Sequence, residues 1–178
     1  MKKCISSIAW SPDNNKDIIP LLVSSGVDYI ETAPGILFNN PLDTSLNKII
    51  EIKKYWDDNK LPIYAMQALL YGKSELKIFN SEEIRQQTLD YLQKIIDLAK
   101  PLGVRRMVFG SPKNRLLESY NYDKAFGLAV HFFKEIGEIL SGNDLVFCIE
   151  PNAKGYGCDF INNTKEAIDL VKAVNHPN

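Results

Sequence analysis

The stretch Leu145-Val146-Phe147-Cys148-Ile149-Glu150-Pro151-Asn152 decides the fold, because an apolar run ends abruptly in a carboxylate, a proline and an asparagine. The run is typical of a strand that is covered on both faces, as in a parallel sheet. Pro151 has no N–H to donate and ends the strand, so Glu150 lies at its carboxyl end. In parallel α/β folds, ligands and catalytic side chains gather at that end. Glu150 is therefore the leading candidate functional residue.

Composition and charge narrow the class of protein. The 178 residues, 45% of them hydrophobic, predict one domain over residues 1–178. Lys and Arg total 21 against 22 for Asp and Glu, so no basic field favours nucleic acid or an anionic membrane. No apolar run approaches the length of a membrane span or of a signal peptide, which predicts a cytoplasmic protein without a membrane partner.

The whole chain alternates predicted strands and helices. Strands are expected at residues 4–10, 27–31, 63–67, 104–110 and 145–149, and helices at 17–25, 42–59, 81–102, 121–140 and 164–174. The strand ends recur about every 40 residues, which is βα-unit spacing and predicts a parallel sheet with right-handed crossovers. Two closures compete: an open doubly wound sheet and part of an eight-stranded barrel. No glycine-rich phosphate loop follows the first strand, which disfavours a nucleotide-binding open sheet.

Apolar spacing within the helices also predicts which side chains are buried. The residues expected to face the core are Ile18, Leu21 and Leu22 in the first helix, Leu46, Ile49, Ile50 and Trp56 in the second, and Ile168 and Val171 in the last. Asn163 and Glu166 have the spacing of a capping box at the start of the last helix.

Four short motifs carry a resemblance to a known family: Gly26-Val27-Asp28-Tyr29-Ile30-Glu31, Gln67, Gly110-Ser111-Pro112 and Ile149-Glu150-Pro151-Asn152. With these motifs, and with the segment at 156–160, the chain resembles the xylose-isomerase-like TIM barrel superfamily of sugar isomerases and epimerases, whose relatives include endonuclease IV. The resemblance implies an α/β fold of the (β/α) TIM-barrel type. Such a barrel needs about 250 residues, so the chain is expected to hold about five of the eight βα units and to be truncated after the fifth.

The resemblance implies a metal-dependent sugar or sugar-phosphate isomerase or epimerase, which moves a proton between adjacent carbons. A glutamate matching Glu150 binds a divalent metal in that family, and in several members it takes part in proton transfer. This chemistry needs a carboxylate base near the C–H bond and a Lewis acid on the neighbouring oxygens. The implied ion is manganese, magnesium, zinc or cobalt. The family's other ligands come from strands six to eight, so an incomplete metal site is expected here.

Four further residues are expected to bind substrate. Glu31 and Gln67 end the second and third predicted strands, and an amide at position 67 suits sugar hydroxyls better than a metal. Tyr156 and Asp159 lie in a glycine-containing loop after Glu150, where a ring stacks on a sugar and a carboxylate binds a hydroxyl. The structural alternatives are an ion pair or helix cap for Glu31, an ion pair for Glu150, and a plain connecting loop for Tyr156 and Asp159.

Two functions of different classes remain open. The first is the isomerase or epimerase, with Glu150 as ligand and base and with activity in doubt for these residues alone. The second is a non-catalytic half-barrel that binds a small polyol or a partner chain. Five strands leave two open sheet edges, which predicts a homodimer formed through them. A nuclease ranks third, because the chain has only 2 histidines and no cationic excess.

Overall fold

The computed structural model describes residues 1–178 and contains a five-stranded sheet with helices between the strands. The strands are β1 (Cys4–Ser6), β2 (Tyr29–Thr32), β3 (Ile63–Met66), β4 (Arg106–Phe109) and β5 (Val146–Ile149). They lie side by side in sequence order, and every neighbouring pair is parallel. A doubly wound sheet reverses its strand order, whereas a (β/α) barrel does not. The predicted TIM-barrel-type α/β fold, with about five of eight units, is confirmed.

Six helices connect or follow the strands. They are α1 (Asn15–Ser24), α2 (Pro34–Leu37), α3 (Leu46–Asp58), α4 (Glu82–Leu102), α5 (Tyr122–Leu140) and α6 (Thr164–Val174). Four of them begin at a side chain that accepts a hydrogen bond from a backbone N–H of the first turn: Ser45, Ser81, Asn121 and Asn163. α4 ends at Gly103, whose φ of 84° is the left-handed conformation that glycine tolerates best. None of the helices combines the length and the apolar composition that crossing a membrane requires.

Local turns shorten two of the predicted elements. The strand expected at residues 4–10 ends at Ser6, because residues 7–9 form a 3-10 turn and the Ser6 side chain accepts a hydrogen bond from the Ile8 N–H. The helix expected from residue 42 begins only at Leu46, because Pro41–Asp43 forms a separate 3-10 turn. In both cases a local polar or proline turn prevails over the apolar pattern.

The main core lies between the sheet and the helices. The aromatic ring of Phe109 on β4 lies 5.5 Å from the rings of Phe133 on α5 and Phe147 on β5. α4 turns Leu92 and Ile96 into the same core, as its apolar spacing predicts. The sheet is therefore packed firmly on its helix side, and this packing fixes the positions of the strand ends.

Several predicted core side chains are exposed, and these predictions are wrong. The exposed fractions are 61% for Leu21, 58% for Leu46, 50% for Ile50, 47% for Ile168 and 50% for Val171. In α6 the buried residues are instead Ala167, Leu170 and Val174. Both stripes fit helical spacing, and α6 packs against α5. Periodicity alone does not distinguish two adjacent stripes.

β5 is an edge strand, and the prediction that both its faces are covered is wrong. All four of its residues are only half-buried. β4 pairs with one side of it, and on the other side the Asn178 carbonyl accepts a hydrogen bond from the Phe147 N–H at 2.7 Å. Since β1 likewise pairs only with β2, the sheet has two lateral edges without a neighbouring strand.

Candidate active site

Polar side chains from four strands meet at the carboxyl edge of the sheet. Ser6 ends β1, Glu31 lies in β2 one residue before its end, Gln67 follows β3, and Glu150 follows β5. Gly110 follows β4. Because all five strands are parallel, these positions share one edge, the position at which barrel enzymes place their catalytic groups.

Glu31 lies in a hydrogen-bonded cluster with Ser6 and Gln67. The Gln67 Nε2 donates to the Ser6 Oγ at 2.5 Å. Burial raises the pKa of Glu31 above its ordinary value, hydrogen bonds from Ser6 and Gln67 oppose that shift, and the negative charge of Glu150 adds to it. The half-buried Glu31 is therefore more readily protonated than a glutamate in water.

Glu150 is exposed to the solvent and is oriented by its neighbours. The Asn152 Nδ2 donates to the Glu150 Oε2 at 3.2 Å. The Asn152 Oδ1 accepts from the Arg115 Nη2 at 2.8 Å, and the same Nη2 donates to the Glu150 backbone carbonyl at 2.7 Å. Arg115 thereby fixes the amide of Asn152 with its N–H group toward the carboxylate.

Arg115 is an unusual support for this end of the sheet, because its side chain is buried without a carboxylate partner. The residue is only 1% exposed, and its Nε and Nη1 atoms have no hydrogen-bond partner. A buried cation without an ion pair is costly for folding. Arg115 donates hydrogen bonds to the end of β5 and to Asn152, so this energetically costly residue supports the candidate site.

Gly110 gives the Glu150 side chain room. A Cβ added at position 110 would collide with the Glu150 Oε2 and would lie 3.3 Å from the Asn152 Oδ1. The next residue, Ser111, has a φ of 40°, which is a strained left-handed conformation for a residue with a side chain. The carboxylate therefore packs across the Gly110 backbone, and any larger residue there must displace it.

A cleft of about 650 Å³ opens above this edge. Its polar lining includes Gln67, Lys73, Lys113, Glu150 and Asn152. The volume lies within the range of small-molecule sites. We call this space the first cleft.

The loop after β5 holds two residues that are predicted to bind substrate, and one of them lines the first cleft. Tyr156 lines the cleft and is 73% exposed. Asp159 lies outside the cleft lining, and its Oδ1 accepts a hydrogen bond from the Leu117 N–H at 2.8 Å. Asp159 thus ties two loops together, and its binding to substrate stays a prediction.

Sequence reasoning assigned no role to Ser6, Arg115 or Asn152. Asn152 had a signal, since it stands two residues after Glu150 in the motif that ends β5. Arg115 had none, because nothing in its local sequence indicates that the side chain is buried beneath another strand.

The residues present do not by themselves fit a metal ion. No group of three or more His, Cys, Asp or Glu side chains lies close enough together to hold one. Glu31 and Glu150 are two carboxylates, whereas a zinc site typically takes three or four protein ligands. The role of Glu150 as a metal ligand stays a prediction.

The model of the xylose isomerase-like TIM barrel family matches residues 19–178. The chain belongs to this family. No curated protein matches the chain. The sequence-based recognition of the family is therefore confirmed.

Solved structures of similar fold include a D-psicose 3-epimerase in the presence of D-fructose (TM-score 0.77, 16% identity, covering 100% of this chain and 61% of that one). The 3-keto-D-glucoside 4-epimerase YcjR from E. coli is similar over 98% of this chain and 65% of its own (TM-score 0.72, 16% identity). The IOLI protein with a zinc atom is similar over 99% of this chain and 60% of its own (TM-score 0.72, 20% identity). This chain thus spans less than two thirds of the length of these relatives. At such identities the likeness shows the fold.

Proposed function

We propose that the first cleft binds a small sugar or sugar phosphate and that the chemistry is that of an isomerase or epimerase. One observation carries the proposal: carboxylates from β2 and β5, Glu31 and Glu150, share the carboxyl edge, and neither takes part in an ion pair. The amides of Gln67 and Asn152 lie beside them and suit sugar hydroxyls. The sugar epimerases among the relatives of similar fold support the same class of substrate.

In the proposed reaction Glu150 is the base. It takes the proton from the carbon next to the substrate carbonyl, and the C–H electron pair moves into a C=C bond as the carbonyl becomes an enediolate. Protonated Glu150 then returns the proton to the former carbonyl carbon, while the proton of the neighbouring hydroxyl passes to the former carbonyl oxygen. The hydroxyl-bearing carbon thereby becomes the new carbonyl, which completes an isomerisation without net oxidation. An epimerisation needs a second acid that returns a proton to the opposite face of the same carbon. Glu31 is the proposed acid because its raised pKa favours the protonated form, although it lies beside Gln67 and not in the lining of the first cleft. Asn152 holds the Glu150 carboxylate in position.

The charge of the first cleft bears on the kind of sugar. Lys73 and Lys113 line it together with Glu150, so the cleft combines two cations with one carboxylate. A phosphate group is a strong partner for lysine. We therefore include sugar phosphates in the proposed substrate class.

The proposal includes one divalent cation, but none of the steps above requires it. The zinc atom in the IOLI protein supports the proposal of one divalent ion. We propose Glu150 as one ligand of that ion, which would polarise the substrate oxygens. The donors present do not complete such a site, and no step above depends on it.

Deuterium exchange from heavy water into the sugar tests the proposal, because it reports C–H proton transfer even when turnover is incomplete. D-fructose, D-psicose, D-tagatose and the phosphate ester of D-fructose would be followed by proton NMR, with and without added Mn²⁺. We expect exchange into at least one of them, and we expect Glu150→Gln to abolish it. Asp144→Asn is the matched control, since Asp144 is a carboxylate at the opposite end of the sheet with 84% of its side chain exposed.

The alternative function is a non-catalytic module that binds a polyol. Its basis is the polar lining of the first cleft, since Gln67 and Asn152 suit polyol hydroxyls with or without catalysis. Sugar binding without exchange in the wild-type protein, with or without Mn²⁺, would support this module against the enzyme. Absence of binding for all four sugars would contradict both.

A further inference from the structure

A second cleft of about 590 Å³ adjoins the first at the carboxyl edge. The loops that follow β1, β2 and β3 form it. Ala68, Tyr71, Gly72 and Lys73 line both clefts, so the two spaces meet at the loop between β3 and α4. A single ligand of sufficient length can therefore occupy both.

The two clefts differ in chemistry. In the second cleft 8 of 15 lining residues are hydrophobic, against 5 of 16 in the first. The second cleft contains no carboxylate, and its only charged residue is Lys73, which it shares with the first. Beyond Lys73, its polar side chains are Asn39, Asn40 and the two tyrosines. With one cation that it shares with the first cleft, this lining is poorly matched to a second phosphate, and its larger hydrophobic share suits an apolar group.

Large apolar side chains are exposed together at this cleft. The exposed fractions of four lining residues are 44% for Ile8, 38% for Ile36, 41% for Leu42 and 87% for Tyr71. They come from the loops after three different strands. Single exposed apolar residues are ordinary, whereas a group of them around a concavity is typical of a binding site.

We propose that the second cleft binds the apolar aglycone of a glycoside whose sugar lies in the first cleft. The sugar half of this inference rests on the function proposed above. An aromatic or aliphatic aglycone gains by covering Ile8, Ile36 and Leu42, and an aromatic one also stacks on Tyr71. The substrate class is therefore a glycoside with an apolar aglycone and a carbonyl elsewhere on its sugar ring, because the reaction proposed above needs a carbonyl and the glycosidic bond removes the one at the anomeric carbon. The glucosides used below test binding alone.

Three probes separate the two halves of the ligand: phenyl β-D-glucoside, methyl β-D-glucoside and benzyl alcohol. Binding is measured by NMR on the full 178-residue chain with labelled isoleucine and leucine methyl groups. We expect the phenyl glucoside to bind at least tenfold more tightly than the methyl glucoside and to shift the methyl signals of Ile36 and Leu42. The methyl glucoside should leave those signals unchanged.

Ile36→Asp should reduce the affinity for the phenyl glucoside to that for the methyl glucoside. Ile168→Asp is the matched control, because Ile168 is 47% exposed on α6 and does not line the second cleft. It should leave both affinities unchanged. Both substitutions replace exposed side chains, so loss of the fold does not explain a difference between them.

Equal affinities for the two glucosides, without shifts at Ile36, would overturn the aglycone cleft and leave sugar binding standing. Methyl β-cellobioside provides a second test, since shifts at Ile36 as large as those from the phenyl glucoside would indicate a second sugar instead. If neither glucoside binds, benzyl alcohol decides. Shifts at Ile36 and Leu42 would then support the apolar cleft against the sugar proposal, and their absence would overturn both.

Discussion

The two ends of the sheet treat charged side chains differently. At the amino end Lys2 pairs with Asp28 at 2.9 Å, and Arg105 pairs with Asp144 at 2.7 Å. At the carboxyl end Glu31 and Glu150 have no cationic partner within ion-pair distance. Two carboxylates at the amino end are thus neutralised by ion pairs, whereas the carboxyl end keeps two carboxylates available.

Two carboxylates on the chain segment that forms β2 show the same contrast in their pKa values. Hydrogen bonds from the Lys3 N–H and from Lys2 lower the pKa of Asp28. Burial raises the pKa of Glu31, only three residues along the chain. The ionised form of Asp28 therefore stabilises the fold, whereas ionisation of Glu31 lowers the free energy of unfolding. Ionisable side chains with a perturbed pKa are typical of functional sites, and Glu31 lies beside Gln67, which lines the first cleft.

The presence of a cleft alone does not distinguish the two ends. The amino end has a cleft of about 350 Å³ that is lined by Arg105 and Asp144, among others. Its charged groups already satisfy each other, whereas those of the first cleft do not. The pairing of charges therefore marks the carboxyl end as the candidate site.

The largest expected effect comes from filling the space above Gly110. In Gly110→Ala the added Cβ displaces the Glu150 carboxylate, and we expect the exchange rate to fall about a hundredfold, the order of loss typical of a misplaced catalytic group. Gly127→Ala on α5 is the control, because a Cβ there meets no atom within 4 Å. Equal exchange rates in the two variants would remove Glu150 from the mechanism.

Removing the amide beside Glu150 should have the next largest effect. In Asn152→Leu the carboxylate loses its hydrogen bond at 3.2 Å, and we expect exchange to slow about tenfold, in keeping with one hydrogen bond to a charged group. Asn143→Leu, at the amino end of the sheet, should leave the exchange rate unchanged. A loss of the same size in both variants would show that the effect is not specific to the carboxyl end.

A smaller effect concerns the pH dependence of stability. Because the pKa of Glu31 is raised in the folded state, its contribution is fully present below its ordinary value of 4.5 and is lost as pH rises through the raised pKa. Glu31→Gln should remove this decline from the free energy of unfolding measured by urea denaturation. The pKa of Asp28 is lowered, so its contribution to the free energy of unfolding is lost as pH falls. Asp28→Asn should remove this dependence at low pH. Identical pH profiles for both variants would contradict the contrast between Asp28 and Glu31.

The smallest effect is expected at the amino end. Asp144→Asn breaks an ion pair whose side chains are 51% and 84% exposed. Solvent-exposed pairs contribute little, so the free energy of unfolding should change by less than about 1 kcal/mol in urea denaturation. A larger decrease in the free energy of unfolding would show that this ion pair contributes more than an exposed pair and would contradict the contrast between the two ends.

Local sequence patterns predicted much of this architecture. Alternating apolar runs and cap residues located the strands and most helices, and Pro151 placed Glu150 at the end of β5. The sequence did not predict which helical stripe is buried or that β5 lies at an edge, because both depend on packing partners far along the chain. The contacts among Arg115, Gly110 and Asn152 escaped prediction for the same reason.

Self-association through the open edges of the sheet stays a prediction from the sequence. The Phe147 N–H is already bonded to Asn178, so pairing at β5 would have to use the carboxyl half of that strand. We propose a homodimer, which sedimentation velocity would show as a concentration-dependent rise toward twice 20.2 kDa. A single monomer boundary at high concentration would count against it.

The most direct test of the carboxyl end as the binding site is a titration of the amide-labelled protein with D-psicose, followed by NMR. We expect the largest shifts at the amides of Gln67, Gly110 and Asn152, with little change at Asp28 and Asp144. Shifts centred on Arg105 and Asp144 would place the ligand in the amino-end cleft and contradict the account.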